Sequence, residues 1–220
     1  LGAEMENKGI NVVCCEIFSR IEQLPGGRLA AHLHGGAAHE TDQVMLAVGR
    51  QPNVEGLGLK AAGVELDKRG AIRVDAFSRT SVDHVWAIGD VTDRLQLTPV
   101  AIHEAMCFVE TLFRNRPTRP DHRNVATAVF SQPEIGTVGW TEDDARRDFR
   151  NLDIYTTAFR PLKGTLTGRS DRMLMKLVVD ADTDRVLGAH VLGPGAGEMA
   201  QLLGIAVKMG ASKADFDATM

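Results

Sequence analysis

The chain has 220 residues, 44% of them hydrophobic and 25% charged, with a formal net charge of -4. That is the composition of a globular protein with room for one or two cores. No Lys/Arg block suggests a nucleic-acid partner, and no apolar run approaches the ~18 residues of a membrane span. The first residues, Leu1 to Glu6, show no basic region followed by an apolar stretch, so no signal peptide is expected. Leu1 stands where an initiator Met would, so the chain is expected not to begin where its gene does. The three cysteines, Cys14, Cys15 and Cys107, lack regular spacing, which argues against a disulfide framework and for a reducing compartment, the cytoplasm.

Residues Leu1 to Lys8 favour a helix capped by Gly9. Ile10 to Phe18 is apolar and β-prone, and carries the adjacent Cys14 and Cys15, read as buried or half-buried structural thiols or as a redox pair. Pro25-Gly26-Gly27 is a turn, and Arg28 to His34 alternates as the return strand of a hairpin. Val44 to Val48 reads as a buried strand ending at Gly49. Gly49 is either a turn glycine or a place where a backbone or ligand approaches closely. Arg50 either holds a phosphate or sits on a solvated edge. Val54 to Leu66 predicts a short helix and a turn, and Gly70 to Asp75 a brief strand.

Thr80 to Pro99 is the most informative stretch. Val82, Val85, Trp86, Ala87 and Ile88 form a short apolar run that Gly89-Asp90 ends, the pattern of a buried strand. Thr98-Pro99 then opens a helix, with Thr98 as a candidate cap and Pro99 in the first turn. A carboxylate at a strand end can accept hydrogen bonds from a polyol, and a helix N-terminus offers free N–H groups and partial positive charge. An ordinary strand-loop-helix with a surface Asp has the same pattern.

Downstream, Ile102, Ala105, Met106, Val109, Leu112 and Phe113 recur at helical spacing and predict a core-facing stripe, with Cys107 in the core and His103 solvated. Asn115 to Arg123 is a linker candidate. Val125–Phe130, Ile135–Trp140, Ile154–Arg160, Met173–Asp180 and Val186–Leu192 read as strands, the last two as a hairpin. Thr141 to Asp144 has the spacing of a capping box. Glu198 to Met209 predicts a helix apolar on more than one face, hence with more than one partner, and Gly210 as its cap. His32, His34 and His39 do not complete a metal-ligand spacing, so no metal is expected.

Four stretches, in order, carry a resemblance. They are Ala47-Val48-Gly49-Arg50-Gln51-Pro52-Asn53; Thr80 to Asp90 with Leu97-Thr98-Pro99-Val100-Ala101; Ala128 to Gly139; and Lys208 to Met220. Together they make the chain resemble the C-terminal half of the glutathione reductases, within the FAD-dependent pyridine nucleotide-disulfide oxidoreductases. The resemblance implies a mixed α/β and α+β architecture in three pieces. Residues 1–50 would end a Rossmann-like NADPH domain, 51–122 would be the second segment of a split FAD domain, and 123–220 an α+β interface domain that forms a homodimer.

The resemblance also assigns residues. Asp90 would bind the ribityl chain of FAD, and the Gln96-Leu97-Thr98 backbone would meet the flavin pyrimidine edge. Gly49 would lie beside the nicotinamide nucleotide of NADPH, and Ala128 near its carboxamide. Met106 stands where some members place an Arg that contacts glutathione. The implied reaction is reduction of glutathione disulfide by NADPH through FAD and a redox-active disulfide. The family's Cys pair four residues apart, its glycine-rich nucleotide turns and its His-Pro-Thr with a following Glu are not in this sequence. The chain by itself is therefore expected to be inactive, with no catalytic residue of its own. Two other readings stay open: a non-catalytic dimerisation module, and a member acting on dihydrolipoamide or mercuric ion.

Overall fold

The computed structural model describes residues 1–168 and 170–219. They form two compact units, Phe18–His122, and Leu1–Ile17 with Arg123–Met220. The mixed α and β architecture is as expected, with two sheets, both antiparallel.

In the first unit, β1 (Phe18–Gln23), β2 (Leu29–Leu33) and β3 (Ala38–Thr41) form a sheet in that order. The Pro25–Gly27 turn closes the expected hairpin, with Leu24 N–H donating to Arg28 O at 2.8 Å. β3 is an addition: Ala38-His39-Glu40-Thr41 is polar and short, with little β signal beyond the preceding Gly35-Gly36.

Several expected elements are absent. Ile10 to Ile17 forms no strand, and the ladder begins only at Phe18. Val44 to Val48 is also not a strand, and Val48 is 91% exposed. Apolar content signals a demand for burial, but a strand exists only through a ladder partner; no described segment pairs with either stretch. Ile72 and Trp86 make isolated bridges, to Leu66 and Arg79, rather than strands. Val54 to Leu66 forms turns rather than a helix, because Gly56, Gly58 and Gly63 all adopt positive φ. A small core of Val64, Ile72 and Ala87 holds these turns together.

α2 (Thr98–Phe113) forms as expected but presents a different face. Val100, Glu104 and Cys107 are its buried residues, whereas Ile102, Met106, Val109, Leu112 and Phe113 are exposed. Both faces have helical spacing; a charged residue, Glu104, lies in the buried one.

In the second unit, α1 (Gly2–Asn7) ends with Lys8 rather than Gly9 at the cap position. β4 (Thr127–Val129), β5 (Ile135–Gly139), β6 (Leu152–Phe159), β7 (Met173–Asp180) and β8 (Arg185–Leu192) form a sheet in the order β4-β5-β8-β7-β6. α3 (Glu142–Asp148) starts where expected, with the Thr141 side chain accepting from Asp144 N–H. α4 (Leu162–Thr167) was not legible in the pattern, and α6 (Lys213–Ala218) is opened by a Ser212–Asp215 capping box.

α5 (Ala196–Met209) packs across β4, β5 and β8 and ends at a left-handed Gly210. The packing is close enough that a Cβ on Gly136 would lie 2.0 Å from Ala196 O. Val138, Val179, Val186, Ala189 and Val207 fill the core between sheet and helix. Ala145, Val178 and Leu187 form a separate core cluster with Trp140 and Phe149, and in β7 and β8 the two clusters take adjacent residues, as strand alternation requires.

Candidate functional site

The turn after Ile88 is built from buried polar groups. Gly89 opens a single 3-10 turn, Gly89–Thr92, with φ +72°, and a Cβ there would lie 3.1 Å from the Ala101 Cβ on α2. Its N–H donates to Glu104 Oε2 at 2.6 Å, and its carbonyl accepts from Thr92 Oγ1 at 2.8 Å. Arg94 donates to Glu104 Oε1 at 2.9 Å, to Ser78 Oγ at 3.0 Å and to Thr92 Oγ1 at 3.2 Å. His122 Nε2 lies 2.7 Å from the same Glu104 oxygen. Glu104 is 1% exposed.

Asp90, the predicted polyol-binding residue, follows Gly89 directly. Its carboxylate is on the exposed side of the turn and has no protein hydrogen bond or ion pair among the described residues. The 3-10 turn packs against α2. Leu97, in extended conformation, is the N-cap of α2; Thr98 is the first helical residue and does not cap, and no side chain satisfies the helix end. Leu97 O accepts from Val100 and Ala101 N–H at 3.0 and 3.1 Å, while Thr98 N–H has no acceptor among the described residues. The Gln96 side chain donates to Asp93 Oδ1 at 2.7 Å, which anchors the approach to the helix, and Asp93 sits in the left-handed region at φ +49°. A fixed turn with a free carboxylate and an uncapped helix end fits a ligand that pairs hydroxyl groups with an electron-rich edge.

The remaining predicted positions contribute no hydrogen bond to this arrangement among the described residues. Gly49 is exposed at φ +118°, and a Cβ added there would meet nothing within 4 Å. Ala128 is half-buried in β4, opposite Gly136 of β5. Met106 is exposed on α2, as is His103. Cys14 and Cys15 are exposed free thiols, not the buried or half-buried pair expected, because the strand that would have buried them does not form. Cys107 is buried; burial, and then the Glu104 and Glu110 carboxylates, push its thiol above the ordinary range.

Sequence reasoning missed Ser78, Thr92, Arg94, Glu104 and His122. The one available signal was Glu104 itself, in helical register with Val100 and Cys107.

The second unit contains a cavity of about 780 Å³ between the sheet and α5–α6, lined among others by Tyr155, Lys176, His190, Met199 and Lys213. His190 Nδ1 lies 2.5 Å from Thr137 Oγ1 and its Nε2 lies 3.0 Å from Trp140 O. Burial holds the imidazole below its ordinary value, reinforced by the Lys176 charge, against the opposing bond to Trp140 O.

Residues 1–105 match the family described as Pyridine nucleotide-disulphide oxidoreductase, and residues 125–220 match Pyridine nucleotide-disulphide oxidoreductase, dimerisation domain. The chain belongs to the pyridine nucleotide-disulphide oxidoreductases. It is 47% identical over 220 residues to a glutathione reductase of Burkholderia cepacia, covering 100% of this chain and 49% of that protein. It is 47% identical over 200 residues to the chloroplastic/mitochondrial glutathione reductase of Pisum sativum, covering 91% of this chain and 36% of that protein. A trypanothione reductase of Leishmania donovani is 43% identical over 204 residues, covering 92% of this chain and 41% of that protein. Among solved structures, the HOCl-induced flavoprotein disulfide reductase RclA from Escherichia coli is similar at a TM-score of 0.89 and 25% identity, covering 99% of this chain and 50% of that one. The chain thus spans about half the length, or less, of the curated relatives it matches. Met220, the last residue of the fourth stretch that carried the resemblance, lies outside the described residues.

Proposed function

We propose that the full-length protein is an FAD- and NADPH-dependent reductase of glutathione disulfide, to which this chain contributes one side of the flavin site and the dimerisation domain. The observation that carries the reading is the Gly89–Asp90 turn: a free carboxylate on a turn held by buried side chains and packed against an uncapped helix N-terminus. The glutathione reductase relatives supply the substrate class.

When bound, FAD would supply transfer of reducing equivalents from NADPH to a disulfide. Asp90 would accept hydrogen bonds from the ribityl hydroxyls. The Gln96-Leu97-Thr98 backbone and the α2 dipole would favour negative charge at the pyrimidine edge. Gly49, without a side chain, would leave room beside the nicotinamide nucleotide, and Ala128 would stand near the carboxamide. Residues 1–50, 51–122 and 123–220 would correspond to the end of the NADPH domain, the second FAD segment and the interface domain. No two of the three cysteines have four residues between them, so the redox disulfide would come from elsewhere in the full-length protein.

The homodimer would form through residues 123–220. Leu202, Ile205 and Met209 of α5 fall at i, i+3 and i+7 and are 70%, 54% and 82% exposed, an apolar stripe suited to a second copy. No helix among the described residues is long and apolar enough to cross a membrane. Three free thiols suit the reducing cytoplasm, where we place the protein.

Steady-state assay of the full-length protein tests the reading. NADPH oxidation dependent on glutathione disulfide is expected. Turnover only with dihydrolipoamide and NAD, or only with mercuric ion, would move the protein to another branch of the family. No turnover with any of them would favour the non-catalytic dimerisation module.

A further inference from the structure

Glu104 has three donors around one buried carboxylate. Gly89 N–H meets Oε2 at 2.6 Å, and Arg94 and His122 meet Oε1 at 2.9 and 2.7 Å. Taking a carboxylate out of water is costly unless it is paired and hydrogen-bonded, and even a satisfied buried ion pair is often no more stabilising than well-packed apolar side chains. Position 104 lies in register with Val100 and Cys107, where an apolar residue would continue the buried face. What an apolar residue could not do is accept the Gly89 N–H.

That bond reaches across fifteen residues to the N–H of Gly89, the residue directly before Asp90. Thr92 Oγ1 holds the Gly89 carbonyl from the same turn, and Arg94 ties Thr92, Ser78 and Glu104 together. Both polar backbone atoms of Gly89 are therefore held by side chains, and Arg94 contacts both of those side chains.

We infer that Glu104 is the positioning residue for Asp90: by accepting the Gly89 N–H, with Arg94 and His122 holding its carboxylate, it sets the direction in which the Asp90 carboxylate meets the ribityl chain. The inference rests on the proposed reading of this turn as a flavin contact. Glu104 touches neither substrate nor cofactor and acts through the turn.

A double-mutant cycle in the full-length protein tests it. FAD affinity is measured by titrating the apoprotein, the bound flavin by its visible circular dichroism, and folding by thermal melting of the apoprotein. Asp90→Ala and Glu104→Ala are each expected to weaken FAD binding tenfold or more. Their combination is expected to lose little beyond the larger single loss, because residues acting through one another are not additive. Glu104→Gln, which keeps one oxygen for Gly89, is expected to recover most of the affinity while altering the flavin dichroism. If Glu104→Ala does not fold, Glu104→Gln takes its place in the cycle, with a smaller loss expected.

Additive losses, or unchanged FAD affinity and dichroism in folded Glu104 variants while Asp90→Ala still weakens binding, would overturn the positioning role alone. Unchanged affinity in Asp90→Ala would overturn the flavin reading of the turn, and the inference with it.

Discussion

Gly89 and Glu104 show how much of the candidate site rests on single residues. At φ +72° with 3.1 Å between a Cβ and Ala101, Gly89 tolerates no side chain without movement of the turn or of α2. Gly89→Ala is expected to cost about 1–2 kcal/mol in denaturant unfolding of the full-length protein, from the left-handed conformation alone, and to weaken FAD binding. Thr141, in the other unit, offers a comparison: its hydroxyl accepts from Asp144 N–H, and Thr141→Ala is expected to cost about 1 kcal/mol with FAD affinity unchanged. Both residues were legible, Gly89 as the end of an apolar run and Thr141 as the first residue of a capping-box spacing. Glu104 was not, because helical periodicity marks which residues share a face and not which face is buried. The stripe through Ile102, Met106 and Phe113 is the more apolar one, yet Val100, Glu104 and Cys107 are inside. What selects them is a donor fifteen residues earlier in the chain, and no local pattern records that pairing.

Elements that complete their hydrogen bonding within a neighbourhood of the chain were read most reliably. The β7–β8 hairpin, α3 and α5 formed where their turns, caps and periods placed them. Val44 to Val48 and Ile10 to Ile17 have the apolar content of strands but no ladder partner among the described residues, so burial pattern outran structure there. β3 is the reverse case, a polar strand recruited by pairing to β2. Within the second unit, His190 links β8 to β5 through Thr137 and accepts no second proton easily, since burial holds it below its ordinary value of 6.5. The folded state then binds that proton less tightly than the unfolded chain, so the contribution of His190 is fully present above the unfolded value and is lost as pH falls below it. Full-length wild type is expected to lose melting temperature between about pH 7 and about pH 5, and His190→Gln to lose less over the same interval. Equal losses in the two proteins would show that His190 does not carry the effect.

At the scale of the whole molecule, the two units divide the proposed work. The Phe18–His122 unit carries the turn proposed to meet the flavin, and α2; the other carries the sheet and helix of the dimerisation family match. The exposed stripe of α5 puts the dimer proposal within reach of sedimentation. Leu202→Asp with Ile205→Asp is expected to convert the full-length protein from dimer to monomer, and an unchanged dimer would place the interface elsewhere. The order of the four resembling stretches was legible from sequence because each is short and local, and the family matches now span them. The bond that fixes the turn before Asp90 was not, since it comes from a buried side chain of α2 fifteen residues later. The most direct measurement is a crystal structure of the full-length protein with FAD bound. Asp90 is predicted to stand within about 3.2 Å of a ribityl hydroxyl, a hydrogen-bonding distance, with the Thr98 end of α2 toward the pyrimidine edge. A flavin seated away from Asp90, with the carboxylate in solvent, would contradict the flavin reading of this turn.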